Sequence, residues 1–368
     1  MEIREGISQQ LTGLICMVLV AIGCEKQSLP EIYRDLDLVG IQRFADSLVT
    51  SRMNEYEIPG LSIGIVKDDE IIFARGYGLR DLAQDYPVTK NSIFHTASIS
   101  KLFTAQGILI LRDSGKLKLN SKISNILPDL DYSGNSGDIT TRQLLNHTSG
   151  LPDIRDYEWE KALASKDALR NYFEHLTLDA RSIPGTEYYY SNLGYNLLAL
   201  IIEEVSAQSF EDFIKDNILL PYGMESSDFE YPKIPDSLKS TPYTKNWFGN
   251  IEQISNYPYS RVHAGSSTLN SSAQDISNWM IKVMKEEHLI SEITSPDDNF
   301  PQIYLGFQQY ETKRFKGVGH FGGDPGFRSF LLMIPSQKIG LVLLANCDYD
   351  EDFRQEIILP IANELVLN

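Results

Sequence analysis

Hydrophobic residues near the start of the chain recur with a helical period. In residues 38–53, Leu38, Ile41, Ala45 and Leu48 follow one another at intervals of three or four residues. Side chains at that spacing share one face of an α-helix. The pattern therefore predicts an amphipathic helix that packs this face against the rest of the protein.

Two further stretches have clear patterns. Residues 60–78 contain two apolar runs separated by a charged turn, which predicts an antiparallel hairpin. Residues 98–114 are apolar on nearly every side, and Gly115 follows them as a typical C-terminal stop. A helix that is hydrophobic all round is buried, so this one is expected at the centre of the fold.

The same criteria predict the remaining elements and a fold class. Helices are predicted over 140–147, 160–176, 193–206, 210–218 and 272–286, strands over 302–310, 327–335 and 338–346, and a closing helix from Phe353 that is interrupted near Pro360. Strands at both ends with helices between them predict an α+β fold. One antiparallel sheet, flanked by the terminal helices, would form an α/β lobe of about 35–90 and 256–368. An all-helical lobe of about 91–255 would be inserted, with a site in the cleft between them.

The N-terminal segment has the features of an export signal. Residues 11–24 form an apolar stretch that ends in Cys24 and is short for a membrane span. Its ending, AIGC, resembles the lipobox of bacterial lipoproteins. We expect a signal peptide over 1–23, lipidation of Cys24, a tether over 24–34 and a lipid-anchored protein of the periplasm or cell envelope. Residues 1–10 carry two glutamates against one arginine, which is atypical of a signal peptide, and the alternative is a buried helix of a cytoplasmic protein.

Composition narrows the class of protein. The chain has 368 residues, 42% of them hydrophobic, which is enough for a sizeable core. A net charge of -17 argues against nucleic acid or an anionic membrane surface as a partner. If Cys24 is lipidated after cleavage, Cys347 is the one thiol left, so no disulfide framework is expected. The six histidines do not cluster in metal-binding spacings, and we expect no metal and no cofactor.

Two short motifs lack the context that their chemistry requires. GLSIG, residues 60–64, fits the G-x-S-x-G pattern and would nominate Ser62 as a nucleophile. That motif needs a strand, a sharp turn and then a helix, whereas Ser62 lies inside a predicted strand. GVGHFG, residues 317–322, fits a dinucleotide-binding pattern, but no helix can begin in the GDPG that follows it. We assign neither function.

The S-x-x-K motif at 98–101 stands at the head of the buried helix. Ser98 and Lys101 lie one turn apart and therefore on the same side. The free N–H groups of a helix start stabilise negative charge near Ser98. Burial would lower the pKa of Lys101 and leave it able to take a proton. The alternative is a capping serine with a lysine that extends to solvent.

Two later stretches offer further polar groups. PGTEYYYSNLGYNLL, residues 184–198, contains Y-x-N, in which Tyr190 would act as a base if a neighbouring cation, such as Lys101, stabilised its phenolate. GHFGGDPGF, residues 319–327, reads as a glycine-rich link between strands whose N–H groups approach a substrate closely. Its His320 could donate to a substrate carboxylate or carbonyl. The alternatives are core tyrosines and a tight turn with an exposed histidine.

The motifs SISK, YSN and HFG appear in the order of the three motifs of serine β-lactamases and penicillin-binding DD-peptidases. LLNHTSGLP, residues 144–152, also resembles that family. The resemblance covers roughly residues 35–365 and is greatest for the class C-like branch, with its esterases and D-amino-acid-specific peptidases. It implies a β-lactamase/transpeptidase-like fold.

The resemblance also implies roles for individual residues. Ser98 would be the acylated nucleophile, Lys101 and Tyr190 would share the acid–base work, and Asn192 would bind a substrate amide. The N–H groups of Ser98 and Gly323 would form the oxyanion hole, with Gly322 beside them. His320 stands where the lactamases have a lysine. Because histidine is only partly charged near neutral pH, this exchange argues against antibiotics as the natural substrate.

The expected function is therefore a metal-independent serine hydrolase that acts on a small-molecule or peptide ester, amide or β-lactam carbonyl through an acyl-enzyme. The alternative is a penicillin-recognising sensor or a peptidoglycan-peptide-binding lipoprotein without turnover. The stereochemical preference and oligomeric state are left open by the sequence.

Overall fold

The structure is a computed structural model that describes residues 37–154, 156–296, 300 and 303–367. The predicted signal peptide, the lipidation site Cys24 and the tether lie outside the described residues and stay predictions. In the described part, no helix is both long enough and apolar enough to cross a bilayer.

The helices fall mainly between the two ends of the described chain. They are α1 Leu38–Tyr56, α2 Ser100–Asp113, α3 Ile123–Ile126, α4 Thr141–Leu145, α5 Ala168–Glu174, α6 Asn192–Ser206, α7 Phe210–Ile214, α8 Ala264–Ser267, α9 Ala273–Lys285, α10 Glu287–Ile293 and α11 Phe353–Leu367. A π-helical turn, Lys215–Leu219, continues α7.

The strands fall at both ends of the described chain, with short pairs between them. They are β1 Gly60–Lys67, β2 Glu70–Asp81, β3 Tyr86–Pro87, β4 Phe94–His95, β5 Tyr132–Ser133, β6 Leu178–Asp179, β7 Tyr243–Lys245, β8 Ile251–Gln253, β9 Asn270–Ser271, β10 Ile303–Tyr304, β11 Phe307–Glu311, β12 Lys316–Asp324, β13 Phe327–Ile334 and β14 Ile339–Ala345.

One antiparallel sheet joins the two ends of the described chain. Its eight strands lie in the order β10-β11-β12-β13-β14-β1-β2-β3. β1 pairs with β14, so that Leu61 lies opposite Ala345. β1 is buried along almost its whole length because α1 and α11 pack together on one side of the fold and α9 packs against β1 and β14. The predicted α+β architecture is therefore confirmed, whereas the predicted limits of the two lobes stay a prediction.

The helix α2 lies at the centre of the inserted region. Its residues from Ser100 to Leu109 are all buried, and it contacts α6, α7 and α8. Gly115 follows it with φ of 73°, and its N–H donates to Arg112 O at 2.8 Å. A left-handed residue at this position is easy for glycine, and it ends the helix as predicted. The N-terminal end of α2, rather than its buried side, faces strand β12 of the sheet through the turn Ala97–Ile99.

Three predicted elements differ in the structure, namely the helix 160–176, the strand 302–310 and the closing helix. The helix expected over 160–176 is a 3-10 turn, Trp159–Lys161, followed by α5, because Arg261 binds the carbonyl oxygens of Leu163 and Lys166 and holds this stretch away from a helix. The strand expected over 302–310 is the hairpin β10–β11, since Leu305 and Gly306 take positive φ and reverse the chain.

The closing helix α11 is not interrupted at Pro360 but runs through it. Proline inside a helix removes one backbone hydrogen bond, at about 3 kcal/mol. Ile357, Ile358 and Ile361, on both sides of the proline, are fully buried against the rest of the fold. Their burial offsets that cost, because a buried aliphatic side chain contributes roughly 1.5–3 kcal/mol.

Candidate active site

Ser98 lies in a strained turn between a short strand and the central helix. The strand β4 pairs with β9, and the 3-10 turn Ala97–Ile99 leads into α2. Ala97 has φ of 49°, a left-handed conformation that is costly for a residue with a Cβ. Ser98 is partly exposed while its neighbours on both sides are buried. The turn therefore presents one hydroxyl to solvent at the start of a buried helix.

Lys101 is fully buried and is aimed at that hydroxyl. Its Nζ lies 2.9 Å from Ser98 Oγ and donates to Ser266 O at 2.8 Å. Burial lowers the pKa of Lys101 to about 7, although the carboxylates of Asp324 and Asp153 partly oppose the shift. About half of the amine is therefore neutral near pH 7 and able to accept a proton from Ser98. A lysine that extends to solvent does not fit this position.

Tyr190 completes the group around the serine. Its hydroxyl donates to Ser98 Oγ at 3.0 Å, and Lys101 Nζ lies 5.0 Å from the centre of its ring. Burial raises the pKa of the phenol well above its ordinary value, which is opposite to the shift that a stabilised phenolate requires. The condition set for Tyr190 to act as a base, a phenolate stabilised by Lys101, is not met in this arrangement, and the acid–base roles of the two residues stay predictions. In this arrangement the pKa of the amine is lowered, the pKa of the phenol is raised, and the phenol donates its hydrogen bond to Ser98.

The glycine-rich stretch is a strand and not a link. Residues 316–324 form β12, which pairs with β13 so that Gly322 lies opposite Ser329 and Gly323 opposite Arg328. A Cβ on Gly322 would lie 2.3 Å from Thr96 O and 3.2 Å from Ala97 Cβ. Only glycine allows β12 to approach the turn Ala97–Ile99 this closely. Gly322 is thereby held against this turn, and the role of the next residue, Gly323, in an oxyanion hole stays a prediction.

His320 is buried in β12, so the alternative of a tight turn with an exposed histidine is wrong. Its side chain is 2% exposed. Burial and the nearby Lys101 lower the pKa of His320 to about 3, so the ring is neutral at pH 7. Nδ1 donates to Phe321 O, which leaves Nε2 as a hydrogen-bond acceptor. This Nε2 has no partner among the described residues.

Asn192 is the first residue of α6. Its backbone N–H donates to Asp153 Oδ1 at 2.8 Å, and its Nδ2 lies 3.3 Å from Asp153 Oδ2. Ser191 caps the same helix through Gly194 N–H. The carboxylate of Asp153 therefore orients the amide that was predicted to bind substrate.

Sequence reasoning missed His147, which supports Tyr190. The two rings stack with centroids 4.4 Å apart, and His147 Nδ1 accepts from Ser191 N–H at 3.1 Å. Burial lowers the pKa of His147 well below its ordinary value, so it packs as a neutral ring. The stretch 144–152 was noted for its resemblance, but nothing in its local pattern reveals this contact with a residue 43 positions later.

Ser62, the serine of the G-x-S-x-G pattern, has surroundings that differ from those of Ser98. It is fully buried in β1, with its Oγ 3.4 Å from the carbonyl oxygens of Arg75 and Thr89. No base lies among these hydrogen-bond partners. This serine is a structural residue of the sheet.

The family model described as Beta-lactamase matches residues 45–363. Protein flp of Staphylococcus aureus (strain MW2) is 29% identical over 327 residues, which are 83% of this chain and 63% of that protein. The chain therefore spans less than two thirds of the length of this relative.

Solved structures show the same fold. The octameric penicillin-binding protein homologue from Pyrococcus abyssi superposes with a TM-score of 0.76 at 25% identity, covering 87% of this chain and 77% of the homologue. A class C beta-lactamase superposes with a TM-score of 0.75 at 22% identity, covering 90% of this chain and 97% of the lactamase.

Proposed function

The protein belongs to the Beta-lactamase family, whose model spans most of the chain, and from this premise we propose that it is a serine hydrolase that forms an acyl-enzyme on Ser98. The observation that carries the proposal is the convergence of Lys101 Nζ at 2.9 Å and Tyr190 Oη at 3.0 Å on one partly exposed hydroxyl. A nucleophile within hydrogen-bond reach of a base is the basic arrangement of covalent hydrolases. Its substrates are esters, amides or β-lactams.

Acylation follows from the pKa of the two neighbours. Neutral Lys101 takes the proton of Ser98 while Oγ forms a bond to the substrate carbonyl carbon. The N–H groups of Ser98 and Gly323 stabilise the oxyanion; loss of one such donor typically costs ~10²–10³ in rate. Tyr190 donates its proton to the leaving group as the old bond breaks, and protonated Lys101 returns a proton to Tyr190.

Deacylation uses the same groups in reverse. Water attacks the acyl carbon and gives its proton to the Lys101–Tyr190 pair, and that proton returns to Ser98 Oγ as the ester bond breaks. The products are a carboxylic acid and the resting enzyme. The neutral His320 contributes no proton near pH 7, since its pKa is about 3.

The matched variants Ser98→Ala and Ser62→Ala test the assignment. Hydrolysis of p-nitrophenyl acetate and of a chromogenic cephalosporin is followed for both. We expect Ser98→Ala to lose at least about 10³-fold in kcat/KM on whichever substrate is cleaved. Ser62→Ala, in the G-x-S-x-G pattern of residues 60–64, should keep wild-type turnover. Equal activity of the two variants would remove Ser98 from the mechanism.

The time course separates a hydrolase from a sensor. Sustained release of p-nitrophenol after the first equivalent supports the hydrolase. A stoichiometric burst with no further release would show a protein that is acylated without turnover, and the proposal of a hydrolase would then be wrong.

A further inference from the structure

We call the space next to Ser98, between Asn192 at the start of α6 and Gly323 in β12, the groove. A carboxylate lies at each of its sides. Asp153 binds the backbone N–H and side chain of Asn192 at one side. Asp324 follows Gly323 on the other side, and its Oδ2 lies 2.7 Å from Nε2 of the buried His95. Both carboxylates act on Lys101 and Tyr190, whose pKa values they raise. A substrate between Asn192 and β12 therefore lies between two acidic residues.

A cleft of about 440 Å³ is lined by Gly323 and Asp324 at the end of β12. It is lined by further acids, Asp156 and Asp348, and by the aromatic rings of Tyr157 and Trp159. These two rings stack with centroids 4.9 Å apart. Stacked aromatic faces next to carboxylates are a favourable environment for an organic cation.

The guanidinium that lines this cleft is already engaged. Arg328 Nη1 donates to the carbonyl oxygens of Asp324 and Phe327, and Nη2 donates to Asp348 O. Nη2 also lies 3.1 Å from Glu351 Oε1. Both Nη atoms of Arg328 are thus bound within the protein, which leaves them less available to a carboxylate of the substrate.

His320 adds an independent observation. It is almost wholly buried, its ring lies 6.2 Å from that of Tyr190, and its Nε2 is an acceptor with no partner among the described residues. An unpaired buried acceptor is satisfied by a hydrogen-bond donor and is repelled by a carboxylate. The neutral ring, whose one N–H is bound to Phe321 O, therefore offers a ligand carboxylate neither a positive charge nor a hydrogen-bond donor.

Resting on the proposed function, we propose that the site takes acyl compounds that carry a protonated amine close to the scissile carbonyl and discriminates against compounds that carry a carboxylate there. The ammonium group lies where the groove between Asn192 and Gly323 meets the acidic cleft lined by Tyr157 and Trp159. An anion at the same place meets four carboxylates and a guanidinium that is already paired. The substrate class is therefore amino-acyl esters and amides.

Three phenylboronic acids test this preference without requiring turnover. They carry a meta aminomethyl, methyl or carboxyl group, so that charge changes at nearly constant shape, and boron binds the Ser98 hydroxyl reversibly. Affinities for the full-length protein are measured by titration at low salt and again at high salt. We expect the aminomethyl compound to bind at least about tenfold more tightly than the carboxyl compound, with a smaller ratio at high salt.

Two charge-matched variants locate the effect. Asp156→Asn removes a carboxylate at the cleft, and Asp113→Asn removes one at the far end of α2, about 20 Å from Ser98. Asp156→Asn should reduce the preference for the amine roughly twofold to fivefold, and Asp113→Asn should leave it unchanged.

Each outcome decides the inference. Equal affinities, tighter binding of the carboxyl compound, or no binding of the aminomethyl compound overturns it. Ser98→Ala should weaken all three compounds, which shows that they occupy the active site. If the amine preference is present while no ester or amide is turned over, the hydrolase proposal fails and the ligand preference stands.

Discussion

Helix α2 and strand β12 each place a buried basic side chain near Ser98, and burial leaves the two side chains with different charges near pH 7. At the start of α2, Lys101 is buried with a pKa lowered to about 7, so that both of its protonation states are populated near neutrality. In β12, His320 is buried with a pKa lowered to about 3 and stays neutral. Both shifts come first from burial, yet one leaves a group able to exchange a proton and the other leaves a fixed acceptor.

The comparison separates chemistry from recognition. Lys101 starts from a high ordinary pKa, so burial brings it into the range of a working base. Histidine starts near neutrality, so the same burial removes its charge. The family resemblance therefore extends to the reacting groups, whereas the strand that faces them lacks the cation that the lactamase pattern has at position 320.

The largest effect is expected from Lys101→Met, which keeps the length of the side chain and removes the base. We predict a loss of about 10³–10⁴-fold in kcat/KM for a neutral ester. Circular dichroism and thermal unfolding show whether the fold is retained. A folded variant with activity within tenfold of wild type would mean that another group takes the proton of Ser98.

Tyr190→Phe should have an intermediate effect. It removes the hydroxyl 3.0 Å from Ser98 Oγ but keeps the ring that stacks on His147. We predict a loss of about 10²–10³-fold that is smaller for esters with good leaving groups, because these need less protonation. Comparison of p-nitrophenyl and methyl esters measures this difference. An equal loss for both esters would mean that Tyr190 does not protonate the leaving group.

The smallest change in rate is expected from His320→Gln, which keeps a neutral acceptor, and the sharper comparison is with His320→Lys. A second cation next to Lys101 disfavours protonation of both amines. We predict that the pH midpoint of kcat/KM shifts to lower pH in His320→Lys and stays in place in His320→Gln. A pH profile of both variants checks this. An unmoved midpoint in His320→Lys would show that position 320 is not coupled to the base.

The sequence predicted the parts of the fold and site that local patterns encode. The spacing of Ser98 and Lys101 follows from helix geometry, and the sheet of both chain ends follows from the positions of apolar runs. The burial of His320, the positive φ of Ala97 and the contacts of His147 depend on segments distant in sequence. The break in the predicted helix 160–176 has the same origin, since Arg261 causes it.

The pH dependence of acylation on Ser98 tests the central claim most directly. A slow ester is mixed with the protein between about pH 5 and pH 9, quenched at short times, and the acylated peptide is identified by mass spectrometry. We predict one acyl group per chain on Ser98, formed faster as pH rises through about 7 because Lys101 loses its proton there. An acyl group on another residue, or a rate on Ser98 that does not change with pH across this range, would contradict the account.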